Sequence, residues 1–222
     1  MTTLDSNRKT SLVAGILYLL TFVSIPTLSL YIPIHDPNYI LGPGPDTNVI
    51  IGNILEIIVA LACIGSAVAL YPILKKQNEG AALVLVGARV LEAGAIFAGV
   101  MFLLTVVTLR QTGAGAEALI TSRTLVTMYD RMFLISQSFL PAINDLLLGF
   151  ILYHSRIVPR GLSLIGIIGG PVLLIGTFSV LFGLIGQREP LAALSAVPVA
   201  VFEFSLGIYL LVKGFKPTYG SN

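Results

Sequence analysis

The sequence predicts an all-α protein, a polytopic transmembrane bundle of six spans with both termini in the cytoplasm. Three observations carry that prediction. Hydrophobic residues make up 55% of the 222-residue chain and charged residues 11%, with a mean hydropathy of +0.92. A soluble domain carries about a quarter charged residues and needs them to cover its surface. Apolar runs of about 20 residues, enough to cross ~30 Å of hydrocarbon, recur along the whole chain. Finally, the lysines and arginines between these runs fall unevenly on alternate loops. The chain is therefore expected to be a single membrane domain, with the lipid bilayer as its first partner.

The first run, 11–31, follows Arg8 and Lys9. It exceeds the ~7–15 apolar residues of a signal peptide and no A-x-A site follows, so it reads as an uncleaved span bent by Pro26. Residues 33–46 hold four prolines and two glycines and form a loop. Thr47-Asn48 offers an N-cap for the second span, 49–74, which contains Glu56. The polar turn Lys75-Lys76-Gln77-Asn78-Glu79-Gly80 ends it, and the third span, 81–109, holds Arg89 and Glu92.

After a glycine-containing loop, 118–153 is too long for one straight span, since it would reach about 50 Å as a helix. It divides into an interfacial helix over 118–128 and a fourth span, 133–153, with Asp130-Arg131 at the join. Pro141 kinks that span, and Asp145 lies one turn further on. The fifth span, 162–185, is glycine-rich, with Pro171 and the close-packing spacing Gly166-x-x-x-Gly170. The sixth, 192–212, contains Pro198 and Glu203, and Lys213 and Lys216 follow it. Tyr71, Tyr153 and Tyr209 near the inner ends fit the enrichment of tyrosine at membrane interfaces.

Counting basic residues orients the bundle. Arg8, Lys9, Lys75, Lys76, Arg156, Arg160, Lys213 and Lys216 fall on one side; Arg110, Arg123, Arg131 and Arg188 fall on the other. Short loops rich in lysine and arginine stay in the cytoplasm, so the first group lies inside.

Several classes of chemistry are disfavoured. A net charge of +2 is too small to argue for nucleic acid. Cys63 is the single cysteine, so no disulfide or cysteine cluster forms within the chain. His35 and His154 fall on opposite membrane faces and cannot share a haem or a zinc ion. P-loop, dinucleotide, serine-elbow and zinc-protease motifs are missing. No cofactor, metal ligand or catalytic residue is expected, and the sequence leaves the oligomeric state open.

The informative residues are the charges inside the spans: Glu56, Arg89, Glu92, Asp145 and Glu203. A charge at the bilayer centre costs roughly 2.5–3.5 kcal/mol on insertion scales, so all five need partners, water or protons. At 1.5 Å per residue, Arg89 and Asp145 both lie about 12 Å from the inner edge. Glu92 and Glu203 fall near the midplane, and Glu56 falls towards the outer side. Arg89 with Asp145 is the expected pair, with Glu92, at i+3, sharing the guanidinium. One reading makes the pair a clamp between spans. The other makes Glu92, Glu203 and Glu56 a column of acids that passes protons or holds a small cationic ligand.

Particular stretches resemble a known family: Ala14-Gly15-Ile16-Leu17-Tyr18-Leu19, Ala69-Leu70-Tyr71 and Ala88-Arg89-Val90-Leu91-Glu92-Ala93. So do Leu148-Gly149-Phe150-Ile151-Leu152-Tyr153-His154-Ser155 and Pro159-Arg160. Together they resemble the bacterial membrane proteins grouped as domain-of-unknown-function family 4386. Cys63 stands where an acidic residue is often found in such proteins. The resemblance implies a six-span protein of the bacterial inner (plasma) membrane and lends no reaction or ligand. A small transporter or ligand-binding protein and a non-catalytic, partner-binding membrane protein are the two functions weighed, with an intramembrane enzyme the least favoured.

Overall fold

The computed structural model describes residues 3–216, which are helical with no strand among them. The helices are α1 (Thr3–Leu20), α2 (Thr27–Leu30), α3 (Thr47–Leu74), α4 (Glu79–Gln111), α5 (Leu119–Leu134), α6 (Leu140–Ser155), α7 (Arg160–Leu181) and α8 (Pro190–Val212). α1 tightens into a 3-10 turn at Thr21–Ser24 before α2, so the two make one rod ending at Leu30. Among the described residues, six rods are long and apolar enough to cross a membrane: α1 to α2, α3, α4, α5 to α6, α7 and α8. Their outward faces expose large apolar side chains, Leu61, Leu91, Met101, Ile175 and Leu194 among them, as lipid contact requires.

Local chemistry explains two ends that differ from expectation. α3 begins at Thr47 without the side-chain cap that Thr47-Asn48 suggested. The flanking Asp46 is engaged elsewhere, accepting from Arg110 at 2.9 Å and from the Tyr39 hydroxyl at 2.6 Å. Burial, with that bond to Asp46, pushes the Tyr39 phenol up to about 12. At the next turn, the Asn78 side chain accepts from the Ala81 N–H at 2.9 Å and caps α4. The polar turn therefore stops at Asn78, and Glu79 enters the first helical turn, where the helix dipole favours an acid.

The division expected at Asp130-Arg131, with a separate interfacial helix over 118–128, does not occur. α5 runs alongside α4, with Tyr129 against Gly99 and Val126 in one cluster with Leu103, Val106 and Val107. The cause is α4, whose 33 residues make it about 50 Å long. Its overhanging end buries those apolar residues by taking α5 as a companion, and Tyr31, Ile34 and Tyr39 close the cluster from the preceding loop. The chain passes from α5 into α6 through a π-turn at Ile135–Phe139. Pro141 accounts for it: a proline brings no N–H, and its ring crowds the carbonyl four residues back, here that of Gln137. One widened turn relieves both.

The six rods form a closed ring. α1 packs on α3 and α8, α3 on α4, α4 on α5 and α6, α6 on α7, and α7 on α8. Glycine makes the closest crossings. A Cβ on Gly15 of α1 would lie 2.8 Å from the Gly207 carbonyl oxygen of α8, so both helices meet there backbone to backbone. Gly166 and Gly170 of α7 do not share one seam. Gly166 faces the Phe202 ring of α8, whereas a Cβ on Gly170 would lie 2.6 Å from the Ala142 carbonyl of α6. Pro171 and Pro198 are accommodated inside α7 and α8.

Ring closure makes a direct prediction. Gly15→Leu is expected to destabilise the detergent-solubilised protein by about 1–3 kcal/mol through overpacking. Gly94→Leu, with open space beside it, should leave the melting temperature nearly unchanged. Thermal melts followed by circular dichroism would check both.

Candidate functional site

α4 places Arg89 and Glu92 one turn apart on the side facing the middle of the ring, each 2% exposed. The two guanidinium nitrogens divide the surrounding groups. Nη1 donates to both Glu92 carboxylate oxygens at 3.2 Å and lies 3.7 Å from Cys63 Sγ of α3. Nη2 donates to Glu203 of α8 at 2.5 Å and to the Tyr18 hydroxyl of α1 at 3.4 Å. It also lies 3.7 Å from Asp145 of α6, an ion pair beyond hydrogen-bond range. The guanidinium carbon stands 5.4 Å from the Tyr18 ring centre, within cation–π reach. Asn144 completes the shell, donating to Glu92 at 2.6 Å. One arginine thus touches groups from α1, α3, α4, α6 and α8.

Three carboxyl groups surround one guanidinium, a formal excess of two negative charges when all are ionised. Asp145 is the least compensated of the three: it is fully buried, and among the described residues neither of its oxygens accepts a hydrogen bond. Glu203 is the most open member, its side chain 12% exposed. It borders a cavity of about 160 Å³ walled by Arg89, Glu92, Gln137, Pro141 and Phe22. That space is sufficient for a small cation or a handful of waters. Among the described residues no three His, Cys, Asp or Glu side chains are placed to share a metal ion, and here the carboxyls turn to Arg89.

Four of the five intramembrane charges picked out in the sequence, Arg89, Glu92, Asp145 and Glu203, come together here. Glu56 does not. It lies seven residues before Cys63 on α3, about 10 Å along the axis, and accepts from the Tyr129 hydroxyl at 2.6 Å. Tyr129 meets the Tyr31 ring edge-on at 5.4 Å, so Glu56 belongs to the buried cluster of the α4–α5 overhang. The expected order of partners also changes. Asp145 is the longest of the three ion pairs, and Glu203 the shortest.

Sequence reading missed Tyr18 and Cys63 as neighbours of the arginine. Tyr18 had a usable clue, since it sits mid-span rather than at an interface. Cys63 had none beyond being a small residue. Asn144 and Gln137 line the arginine's shell and the cavity, whereas Asn53 donates to the Val49 carbonyl of its own helix at 2.7 Å.

A family model described as "Domain of unknown function (DUF4386)" matches residues 13–214, nearly the whole chain. No curated protein and no solved structure matches the chain.

The geometry predicts the energetics of its parts. Arg89→Ala should cost about 3–5 kcal/mol, because it strands buried carboxyls. Combined with Glu203→Gln it should be non-additive by roughly 1 kcal/mol or more, whereas Glu56→Gln should add to Arg89→Ala within ~0.5 kcal/mol. Reversible unfolding of single and double variants in mixed micelles would measure each coupling.

Proposed function

Because the chain belongs to the DUF4386 family, whose description assigns no activity, we propose a function from the geometry of this multi-pass membrane protein. The Arg89 cluster exchanges protons for a small cationic solute, and the chain works as a small proton-linked transporter. The observation that carries this reading is the surplus of carboxyl groups over cations beside a cavity. A positive charge entering the cavity competes with Arg89 for Glu203, and Asp145 stands ready to take or release a proton as the guanidinium shifts. The wall adds polar capacity: Gln137 faces the space, and Pro141 supplies no N–H to the turn before it. Buried ionisable groups facing a cavity are the usual mark of such pathways.

We also place the chain in the bacterial inner membrane with both termini cytoplasmic, on the eight-to-four distribution of basic residues between its two faces. The second reading is a partner-binding or structural membrane protein whose charges only hold the helices together. It draws on the burial of Arg89 and its reach across the ring.

Flux separates the two. In proteoliposomes with a pH-sensitive dye inside, wild-type protein should couple proton movement to a gradient of Na⁺, K⁺ or methylammonium. Glu203→Gln should cut that flux about tenfold or more, while Glu56→Gln retains it. Wild-type flux with none of these cations, or full flux in folded Glu203→Gln and Glu92→Gln proteins, would leave only the structural reading.

A further inference from the structure

A larger cavity, about 390 Å³, opens at the end of the bundle where the two described ends of the chain meet. Arg8, Lys76, Lys213 and Lys216 line it, over an apolar floor that includes Ile73 and Phe215. Among the described residues, no acidic side chain is in its wall. Four cations in one basin repel each other, so their convergence needs a cause.

Part of the cause lies in the backbone. Arg8 donates to the carbonyls of Leu210 and Leu211 at 3.3 and 2.7 Å, capping the C-terminal end of α8, where the helix dipole favours a cation. Gly214 then takes φ 72°, which turns the chain back on itself, and the Lys216 N–H donates to the Ile157 carbonyl at 2.8 Å. This hook holds Lys213 and Lys216 opposite Lys76, just past the end of α3. Among the described residues, the amino groups of these three lysines make no hydrogen bond or ion pair with a protein side chain. Arg8 already serves the α8 carbonyls, so helix-end compensation does not account for three further lysines.

We propose that this basin binds a phosphate group, with the three lysines on the anion and the apolar floor under the atoms attached to it. Its lysines lie just past the ends of α3 and α8, where phospholipid headgroups meet a spanning helix, and its volume exceeds what a bare phosphate needs. Both point to an anionic phospholipid as the source, although inorganic phosphate shares the chemistry.

Native mass spectrometry of the full chain in a neutral detergent tests the proposal, with phosphatidylglycerol, phosphatidylcholine and inorganic phosphate as probes. Phosphatidylglycerol should bind more tightly than phosphatidylcholine. Each of Lys76→Gln, Lys213→Gln and Lys216→Gln should weaken it about fivefold. The control triple Lys75→Gln, Arg156→Gln, Arg160→Gln, outside the basin, should leave binding unchanged. The triple Lys76→Gln, Lys213→Gln, Lys216→Gln should lose most of the binding; should it fail to fold, the single variants carry the test, and the corresponding Lys→Arg triple should keep binding. Binding of inorganic phosphate that the same lysine variants abolish would support the site with the free anion as its ligand. Binding of neither anion, or anion binding equal in basin and control variants, would overturn the proposal.

Discussion

A guanidinium held between apolar helices has to find its counter-charges within reach, because lipid supplies none and an unpaired charge at that depth costs several kcal/mol. Arg89 imposes that condition on the whole bundle. Its two nitrogens take Glu92 from its own helix, Glu203 from α8 and the Tyr18 hydroxyl from α1, with Cys63 and Asp145 close by on α3 and α6. For each contact to form, the helix that supplies it must be rotated to one particular face. The arginine therefore fixes the azimuth of most of the ring, and the apolar belt that faces lipid is what those rotations leave outside.

Between helices in a membrane the hydrophobic effect contributes little, so packing and polar contacts decide which neighbours meet. Here close approach falls to glycine. Gly15 and Gly207 bring α1 and α8 together and shut the ring, while Gly166 and Gly170 let α7 settle between α8 and α6. The carboxyl-rich centre survives inside this dense packing because Pro141 and the π-turn before it open one wall beside Glu203. The ring is tightly closed, with one relaxed turn next to its surplus acids.

The two ends of the bundle handle charge in opposite ways. At the overhanging end Arg110 pairs with Asp46 and the Gly42 carbonyl, and Arg188 with Asp130, which also meets His35 at 3.1 Å. At the end where the described ends of the chain meet, Lys76, Lys213 and Lys216 crowd a cavity with no acid in its wall among the described residues. One end pairs most of its charges internally, while the other gathers lysines whose amino groups have no side-chain partner among the described residues.

Much of this was legible in the sequence. Composition and apolar run length determined the membrane class and six spans, because lipid demands about 20 apolar residues per crossing whatever the fold. The rarity of charge inside those spans singled out Arg89, Glu92, Asp145 and Glu203, since each is too costly to be there unpaired. Tertiary structure alone decided which acids share the arginine, because helix rotation and axial offset set that, and residue depth counted along one helix does not contain them. Hence Glu56, equally conspicuous as a residue, pairs with Tyr129 instead. The same holds for α5, which sequence length divides from its span and the overhang of α4 keeps in line. The lysine basin also lay beyond the sequence, for a left-handed turn at Gly214 brings together residues that lie more than a hundred positions apart.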